Sequence, residues 1–111
     1  MIARLWKGWT SSDDADTYEQ VFRSEVVAEL QGVGGYQGAY LLRRALPDGV
    51  EFAALTLFDS LEAVRGFAGD NYEVAVISPA ARRVLTRFDQ TSQHFEVAHA
   101  PGDEASSPQG R

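Results

Sequence analysis

Residues 36–67 read YQGAYLLRRALPDGVEFAALTLFDSLEAVRGF, and this stretch predicts two strands followed by a helix. Apolar and β-branched side chains fill residues 36–46 and 50–58, as is typical of strands. Pro47-Asp48-Gly49 separates the two runs. Proline restricts φ on entry to a turn, and glycine accepts a positive φ on exit, so the three residues predict a β-hairpin.

The segments on either side of the hairpin complete the order of elements. Residues 2–9 predict a first strand and residues 91–99 a last one, because both are rich in β-branched and aromatic side chains. Asp59, followed three positions later by Glu62, resembles a capping box at the start of a helix. The apolar positions at helical spacing are Ala15, Tyr18, Phe22, Val26 and Leu30, then Leu61, Val64, Phe67 and Ala68, and then Ala81, Val84, Leu85 and Phe88 in a piece that starts at Pro79.

The predicted order β-α-β-β-α-β indicates an α+β, ferredoxin-like fold, with an antiparallel sheet and both helical regions on one face. Residues 1–99 are predicted to form this domain. The polar residues 100–111 have no periodicity, which predicts a disordered tail. In the third strand Phe52 and Phe58 lie on one face and Leu55 and Leu57 on the other, so both faces are apolar. We therefore predict that the sheet of a second copy covers the open face in a homodimer.

Charge and composition exclude several classes of partner. The 111 residues carry a formal net charge of -6, and Lys7 is the only lysine, which argues against binding to a nucleic-acid backbone. The absence of cysteine excludes disulfides and thiolate chemistry. Because no apolar run has the length of a membrane span or a signal peptide, we expect a cytoplasmic protein with no membrane partner.

Four segments carry a resemblance to a known family: residues 2–8 (IARLWKG), 35–40 (GYQGAY), 55–67 (LTLFDSLEAVRGF) and 94–97 (HFEV). In them the chain resembles the antibiotic biosynthesis monooxygenase-like group of the dimeric α+β barrel superfamily. The resemblance implies a pocket between helices and sheet in each subunit. It also implies oxidation of polycyclic aromatic substrates by molecular oxygen without metal or flavin, or else haem degradation. Phe67 stands where many members carry Trp or His, so their catalytic residues do not transfer directly.

Arg4 and Trp6 share one face of the first strand and are candidates for anion stabilisation and for contact with an aromatic substrate. The structural alternatives are an ion pair of Arg4 with Glu96 and a packing role for Trp6 in the core or a dimer interface. Phe67 is a further candidate for substrate binding, as are Tyr36 and Tyr40, which strand alternation places on one face.

His94 is the candidate general base, with a hydrogen-bonded sheet histidine as the structural alternative. Asn71 and Tyr72 lie at the break in the second helical region, where such folds place a cavity mouth. His94 and Glu96 share a strand face, but a catalytic zinc site requires a third protein ligand and none is evident, so no metal is predicted.

The function hypothesis is a cofactor-independent monooxygenase acting on an aromatic or polyketide-like small molecule. His94 or Tyr72 would remove a proton, and Arg4 and Asn71 would stabilise the anion that gives an electron to oxygen. Two alternatives stay open from the sequence. One is a non-catalytic dimeric barrel that binds a small hydrophobic ligand, and the other is a haem-binding or haem-degrading protein with His94 as axial ligand.

Overall fold

A computed structural model describes residues 1–104 of the chain. The strands are β1 (Ile2–Thr10), β2 (Tyr36–Leu46), β3 (Gly49–Phe58), β4 (Leu85–Phe88) and β5 (Gln93–Glu96). The helices are α1 (Ala15–Val21), α2 (Val27–Gln31), α3 (Leu61–Ala68), α4 (Pro79–Val84) and α5 (Pro101–Glu104), and a π-helical turn (Phe22–Val26) joins α1 to α2.

The five strands form one antiparallel sheet in which β1 and β3 are central. β2 pairs with the other edge of β3 through the predicted hairpin. β4 and β5 share the remaining edge of β1: β4 pairs with Gly8–Thr10 and β5 with Ile2–Leu5. This arrangement confirms the predicted α+β, ferredoxin-like fold. The last strand, predicted over residues 91–99, is the shorter β5, and β4 is an additional strand.

The second helical piece is shorter than its apolar spacing predicts. It ends at Val84, and Leu85 has an extended backbone with φ -80° and ψ 128°. Residues 85–88 form β4 instead, with Phe88 opposite Gly8 on β1. The spacing of these apolar residues suits a helix as well as a strand. The strand forms because its backbone satisfies the open edge of β1, which a helix cannot do.

Side-chain caps set the starts of α3 and α4. The Ser60 hydroxyl accepts a hydrogen bond from the Ala63 amide, so the cap lies one residue after the predicted Asp59. Ser78 caps α4 in the same way, and Pro79 occupies the first turn, where its missing N–H costs nothing. None of the helices among residues 1–104 is long and apolar enough to cross a membrane.

The π-helical turn keeps one stripe of side chains against the sheet. Tyr18, Phe22, Val26 and Leu30 follow one another at steps of four, which drift around an ordinary α-helix of about 3.6 residues per turn. A π turn holds more residues, because its hydrogen bonds run from i to i+5. The insertion at Phe22–Val26 corrects the drift, so all four side chains stay buried or partly buried.

The covered face of the sheet carries two hydrophobic clusters rather than one. The first contains Trp6 and Phe52, and the second contains Phe58 and Val64; Val26 packs against both. Between them lies a row of buried polar residues, in which Arg4 on β1 pairs in register with Thr56 on β3. The boundary between the clusters is therefore the polar part of the interior, and it is where the candidate site lies.

No helix or loop among residues 1–104 covers the other face of the sheet. Tyr40, Leu42 and Phe95 are 57%, 52% and 51% exposed there. At the opposite end of this face the Glu51 carboxylate forms ion pairs with Lys7 (3.5 Å) and Arg44 (2.9 Å), so the face is apolar at one end and charged at the other.

The polar segment predicted to begin at residue 100 contains one helical turn, α5. Residues 105–111 lie outside the described part of the chain. For them, the sequence prediction of a disordered tail stays a prediction.

Candidate active site

A cavity opens between the helical layer and the covered face of the sheet, at the boundary of the two clusters. The volume of this cavity is about 50 Å³. That is room for a few water molecules, whereas ligand pockets commonly measure several hundred Å³. The apolar lining consists of Trp6, Tyr18, Phe22, Val26, Ala54, Phe67, Val76, Ile77 and Ala81, and the polar lining of Arg4, Thr56, Ser78 and Ser92.

Arg4 supplies the charge of this cavity. Its side chain is only 4% exposed, and its guanidinium contacts no carboxylate within residues 1–104. Nη1 donates to the carbonyl of Tyr72 and to Nε2 of His94 (2.9 Å), and Nη2 donates to the carbonyl of Val74 (3.2 Å). The predicted alternative, an ion pair with Glu96, is therefore wrong. Glu96 lies opposite Ile2, at the far end of the β1–β5 ladder.

A buried guanidinium without an anion is costly, because its charge loses hydration and gains no counter-charge. Burial lowers the pKa of Arg4 to about 10, so the group remains protonated at neutral pH. Because the partners are neutral, they do not compensate the charge of Arg4. Other N–H groups of the guanidinium are left without a hydrogen-bond acceptor. An anionic ligand in the cavity would supply the missing charge.

His94 orients Arg4 from the neighbouring strand. Since Arg4 can only donate, Nε2 of His94 must be the acceptor, and the proton of the neutral ring then sits on Nδ1. The His94 ring also meets the Tyr72 ring edge to face, with centroids 5.0 Å apart. Neither ring nitrogen has a lone pair free for a substrate, so the predicted role of general base is not supported by this geometry. What the structure shows for His94 is a hydrogen bond that holds the Arg4 guanidinium.

We expect the stability of the protein to fall below about pH 6.5 through His94. Burial and the charge of Arg4 lower the pKa of His94 from its usual 6.5, and Glu73 opposes them. The unfolded chain then takes up a proton near pH 6.5, before the folded protein does. The contribution of His94 to the free energy of unfolding is thus complete above that pH and declines below it.

Urea denaturation at pH 7.5 and 5.5 measures this decline. His94→Gln keeps an acceptor for Arg4 but does not titrate, so its decline should be smaller than that of the parent protein. Equal declines in the two proteins would exclude His94 as the source.

The same fold occurs in solved structures of known proteins. No family model and no curated protein matches the chain. Three of the similar structures are a protein from Bacillus cereus assigned as an antibiotic biosynthesis monooxygenase, a mutant of MhuD with two manganese protoporphyrin IX bound per active site, and SnoaB, a cofactor-independent oxygenase from Streptomyces nogalater. Their TM-scores are 0.61, 0.64 and 0.58, and their sequence identities are 13%, 18% and 18%. The aligned regions cover 89%, 90% and 90% of this chain, and 92%, 97% and 94% of the three proteins in the same order.

The chain has the antibiotic biosynthesis monooxygenase-like fold. The resemblance predicted from the sequence is confirmed at this level. Because the identities are low, the comparison assigns no residue of the site, and each role has to be argued from the contacts in this chain.

Within the antibiotic biosynthesis monooxygenase-like fold, three of the predicted site residues line the cavity: Arg4, Trp6 and Phe67. The Trp6 indole donates from Nε1 to the Asp89 carbonyl (2.9 Å), which anchors the ring as one wall. Phe67 lies beneath the guanidinium of Arg4, 5.7 Å from its ring centroid. Trp6 and Phe67 therefore pack in the interior and also border the cavity.

The predicted pairing of Tyr36 with Tyr40 on one face is wrong. The register of β2 shifts between Tyr36 and Gly38, where Tyr36 lies opposite Phe58 and Gly38 opposite Leu57. Such a bulge inserts an extra residue and inverts the alternation beyond it. Tyr36 consequently packs against Phe58 in the second cluster, while Tyr40 projects from the open face of the sheet. Neither lines the cavity.

Asn71, Tyr72 and His94 also lie outside the cavity lining. Asn71 is exposed, and its carbonyl accepts from the Val74 amide within the loop, so the predicted anion-stabilising role is not supported. Tyr72 and His94 line a separate outer groove with Glu73 and Glu96. Arg4 reaches the backbone of this loop through the Tyr72 carbonyl and so lies at the wall between groove and cavity. Residues 1–104 contain no group of three or more His, Cys, Asp or Glu residues that could hold a metal.

Several lining residues were not predicted as site residues from the sequence, above all Tyr18 and Ser92. Tyr18 belongs to an apolar helical stripe and therefore resembled a core residue. The signal that could have marked it is a phenol within an otherwise apolar stripe, because a buried hydroxyl requires a partner. Ser92 carried no signal, because it lies in a polar stretch before β5 and its burial depends on the fold.

Proposed function

We propose that the protein is a cofactor-independent oxygenase of small aromatic molecules that bind as anions. The observation that carries the proposal is Arg4, a buried cation that faces an aromatic cavity without a carboxylate partner among the described residues. Preorganised charge of this kind stabilises an anion that forms during reaction, and it does so most strongly where water is excluded.

The cavity lining contains no residue suited to act as a general base. Asp, Glu, His and Lys do not occur in it. Burial raises the pKa of Tyr18, the one lining residue with an acidic hydroxyl, so it stays protonated. A substrate therefore loses its proton to water as it binds, and Arg4 favours the anion by lowering the pKa of the substrate. Phenols and enolisable ketones with acidities near neutrality meet this requirement.

The proposed chemistry is oxidation of such an anion by molecular oxygen. For an anthrone, the carbanion transfers one electron to oxygen, and the radical pair combines into a peroxide anion, which takes up a proton from water to give the hydroperoxide. Loss of water then forms the carbonyl, so one anthrone and one oxygen molecule yield one anthraquinone and one water. The role of the chain is to hold the anion beside Arg4 and to exclude water through the Trp6, Phe22 and Phe67 side chains.

The similar structures support this class of function. SnoaB is a cofactor-independent oxygenase, and the MhuD mutant binds manganese protoporphyrin IX. For the present chain the geometry favours an oxygenase over a haem-degrading protein. Nε2 of His94, the candidate axial ligand, is already bound to Arg4. A tricyclic substrate is larger than the cavity, so its binding requires the lining to open.

Oxygen uptake tests the proposal. Chelator-treated, flavin-free protein is supplied with a panel of anthrones and hydroquinones in an oxygen electrode, and quinone is followed by absorbance. Enzyme-dependent uptake with an anthrone, with one anthraquinone formed per oxygen consumed and no hydrogen peroxide released, supports the oxygenase. If the panel instead quenches tryptophan fluorescence saturably with no uptake, the protein is the non-catalytic ligand-binding barrel.

We also propose that the protein is a homodimer through the open face of the sheet, in the cytoplasm. Tyr40, Leu42 and Phe95 form an exposed apolar area there that a second copy would bury.

Light scattering at micromolar concentration should give a dimer, and Leu42→Lys should raise its dissociation constant at least about tenfold, since a buried unpaired charge is costly. Val74→Lys, a matched change at a 47% exposed valine outside the sheet, should leave the dimer intact. A monomeric parent protein would contradict the proposal.

A further inference from the structure

Tyr18 brings to the cavity a hydroxyl without a hydrogen-bond partner among the described residues. The residue is 3% exposed, and its ring packs against Phe52 and Trp6, with centroids 4.8 and 6.4 Å away. Its hydroxyl forms no hydrogen bond with any residue in the 1–104 range. Buried tyrosine hydroxyls usually have a partner, so this one calls for an explanation.

The position of the hydroxyl supplies that explanation. Tyr18 lines the cavity, and no side-chain oxygen or nitrogen among the described residues is both fully enclosed and unbonded. The phenol oxygen therefore borders open space, where a ligand atom can reach it. Because burial raises its pKa, the hydroxyl keeps its proton and acts as a donor toward a neutral acceptor.

Tyr18 and Arg4 are placed to bind different parts of a ligand. Arg4 lies two residues before Trp6 on the same face of β1, roughly 7 Å along the strand. Tyr18 packs on Trp6 from α1, in the cluster that contains Phe52, whereas Arg4 contacts Phe67 near the other cluster. Arg4 and Tyr18 thus line the same cavity from different elements, β1 and α1, and beside different clusters.

We propose that Tyr18 determines specificity by donating a hydrogen bond to a carbonyl oxygen of the ligand, while Arg4 binds an ionised hydroxyl elsewhere on the same molecule. The substrate class is then hydroxylated aryl ketones, in which an acidic hydroxyl and a carbonyl lie on one conjugated ring system. This inference rests on the proposed function for the anion site and adds the second point of recognition.

A ligand pair and a residue pair test the proposal together. The ligands are 4-hydroxyacetophenone, which has the carbonyl, and 4-ethylphenol, which lacks it. Binding is followed by quenching of Trp6 fluorescence in a Trp9→Phe background, because Trp9 lies on the opposite face of β1. Tyr18→Phe removes only the hydroxyl, and Tyr36→Phe, a change at a tyrosine outside the cavity lining, is the matched control.

Tyr18→Phe should weaken binding of the ketone about tenfold, the loss expected for one hydrogen bond, and binding of 4-ethylphenol less than about twofold. Tyr36→Phe should affect neither. The difference in acidity between the ligands cancels, because each variant is compared with the parent for the same ligand. Equal changes for both ligands, or none, would overturn the proposal and leave Tyr18 as a packing residue.

The two proposals fail in different ways. If Arg4→Met leaves binding of both phenols unchanged, the anion site is wrong whatever Tyr18 does. If Arg4→Met weakens the binding of both ligands but Tyr18→Phe changes the binding of both ligands equally, the anion site is supported and the carbonyl site is wrong. Failure of both phenols to bind the parent protein would contradict both.

Discussion

Replacement of Arg4 by Met should lower kcat/KM for oxygen uptake by roughly 100-fold or more, the loss typical of removing one preorganised group that stabilises an oxyanion. Methionine occupies similar space and keeps the apolar contact with Phe67 but removes the charge. The anionic form of the substrate then has no counter-charge in the cavity. The pH at which turnover reaches half its maximum should also rise, because the bound substrate loses its proton less readily.

Two comparisons separate this effect from a general loss of structure. Arg23→Met removes the same charge from an exposed arginine that pairs with Glu19 on α1, and it should leave turnover unchanged. A saturating phenol should raise the melting temperature of the parent protein but not that of Arg4→Met, since only a bound ligand stabilises the fold. Turnover in Arg4→Met within about twofold of the parent would contradict the role of Arg4.

Substitution of Gly49 by Ala should destabilise the protein by roughly 2–4 kcal/mol, which for a domain of this size lowers the melting temperature by about 10 °C or more. Gly49 ends the hairpin turn with φ 155°, a conformation that side chains rarely adopt. A Cβ there would lie 2.3 Å from the carbonyl oxygen of Thr10. The backbone of β1 cannot move away from the added Cβ, because Thr10 pairs with Val50.

Gly34→Ala provides the matched control for Gly49→Ala. Gly34 is exposed, and an added Cβ would meet no atom within 4 Å. Its substitution should change the free energy of unfolding by less than about 0.5 kcal/mol in urea denaturation. Similar losses for the two variants would mean that the close approach to Thr10 does not determine the effect.

Local rules account for the parts of the fold that the sequence predicted well. The Pro47-Asp48-Gly49 turn joins β2 to β3, and Gly49 has the positive φ that the turn chemistry requires. The apolar stripe of α1 faces the sheet, and Pro79 opens a helix. In each case the decisive interactions lie within a few residues of one another. The sequence alone therefore contains them.

The errors arise where a competing partner lies far away in the chain. Leu85–Phe88 has a helical pattern, yet it becomes a strand because β1 offers an unpaired edge. Tyr36 and Tyr40 follow a regular alternation in the sequence, but a bulge at Gly38 places them on opposite faces. A glycine within a strand often marks a bulge, and Gly38 has a φ of 136°, but whether a bulge forms there depends on the pairing with β3.

The same distinction between local and long-range interactions applies to the candidate site. Strand alternation is a local property, so the sequence predicts that Arg4 and Trp6 share a face of a buried strand. The groups that surround Arg4 depend on the tertiary structure. The Tyr72 and Val74 carbonyls and His94 reach it across 68 to 90 residues of chain, and the expected carboxylate of Glu96 does not. Long-range contacts of this kind determine the environment of a buried charge. The lack of an anionic partner for Arg4 could therefore not be predicted from the sequence.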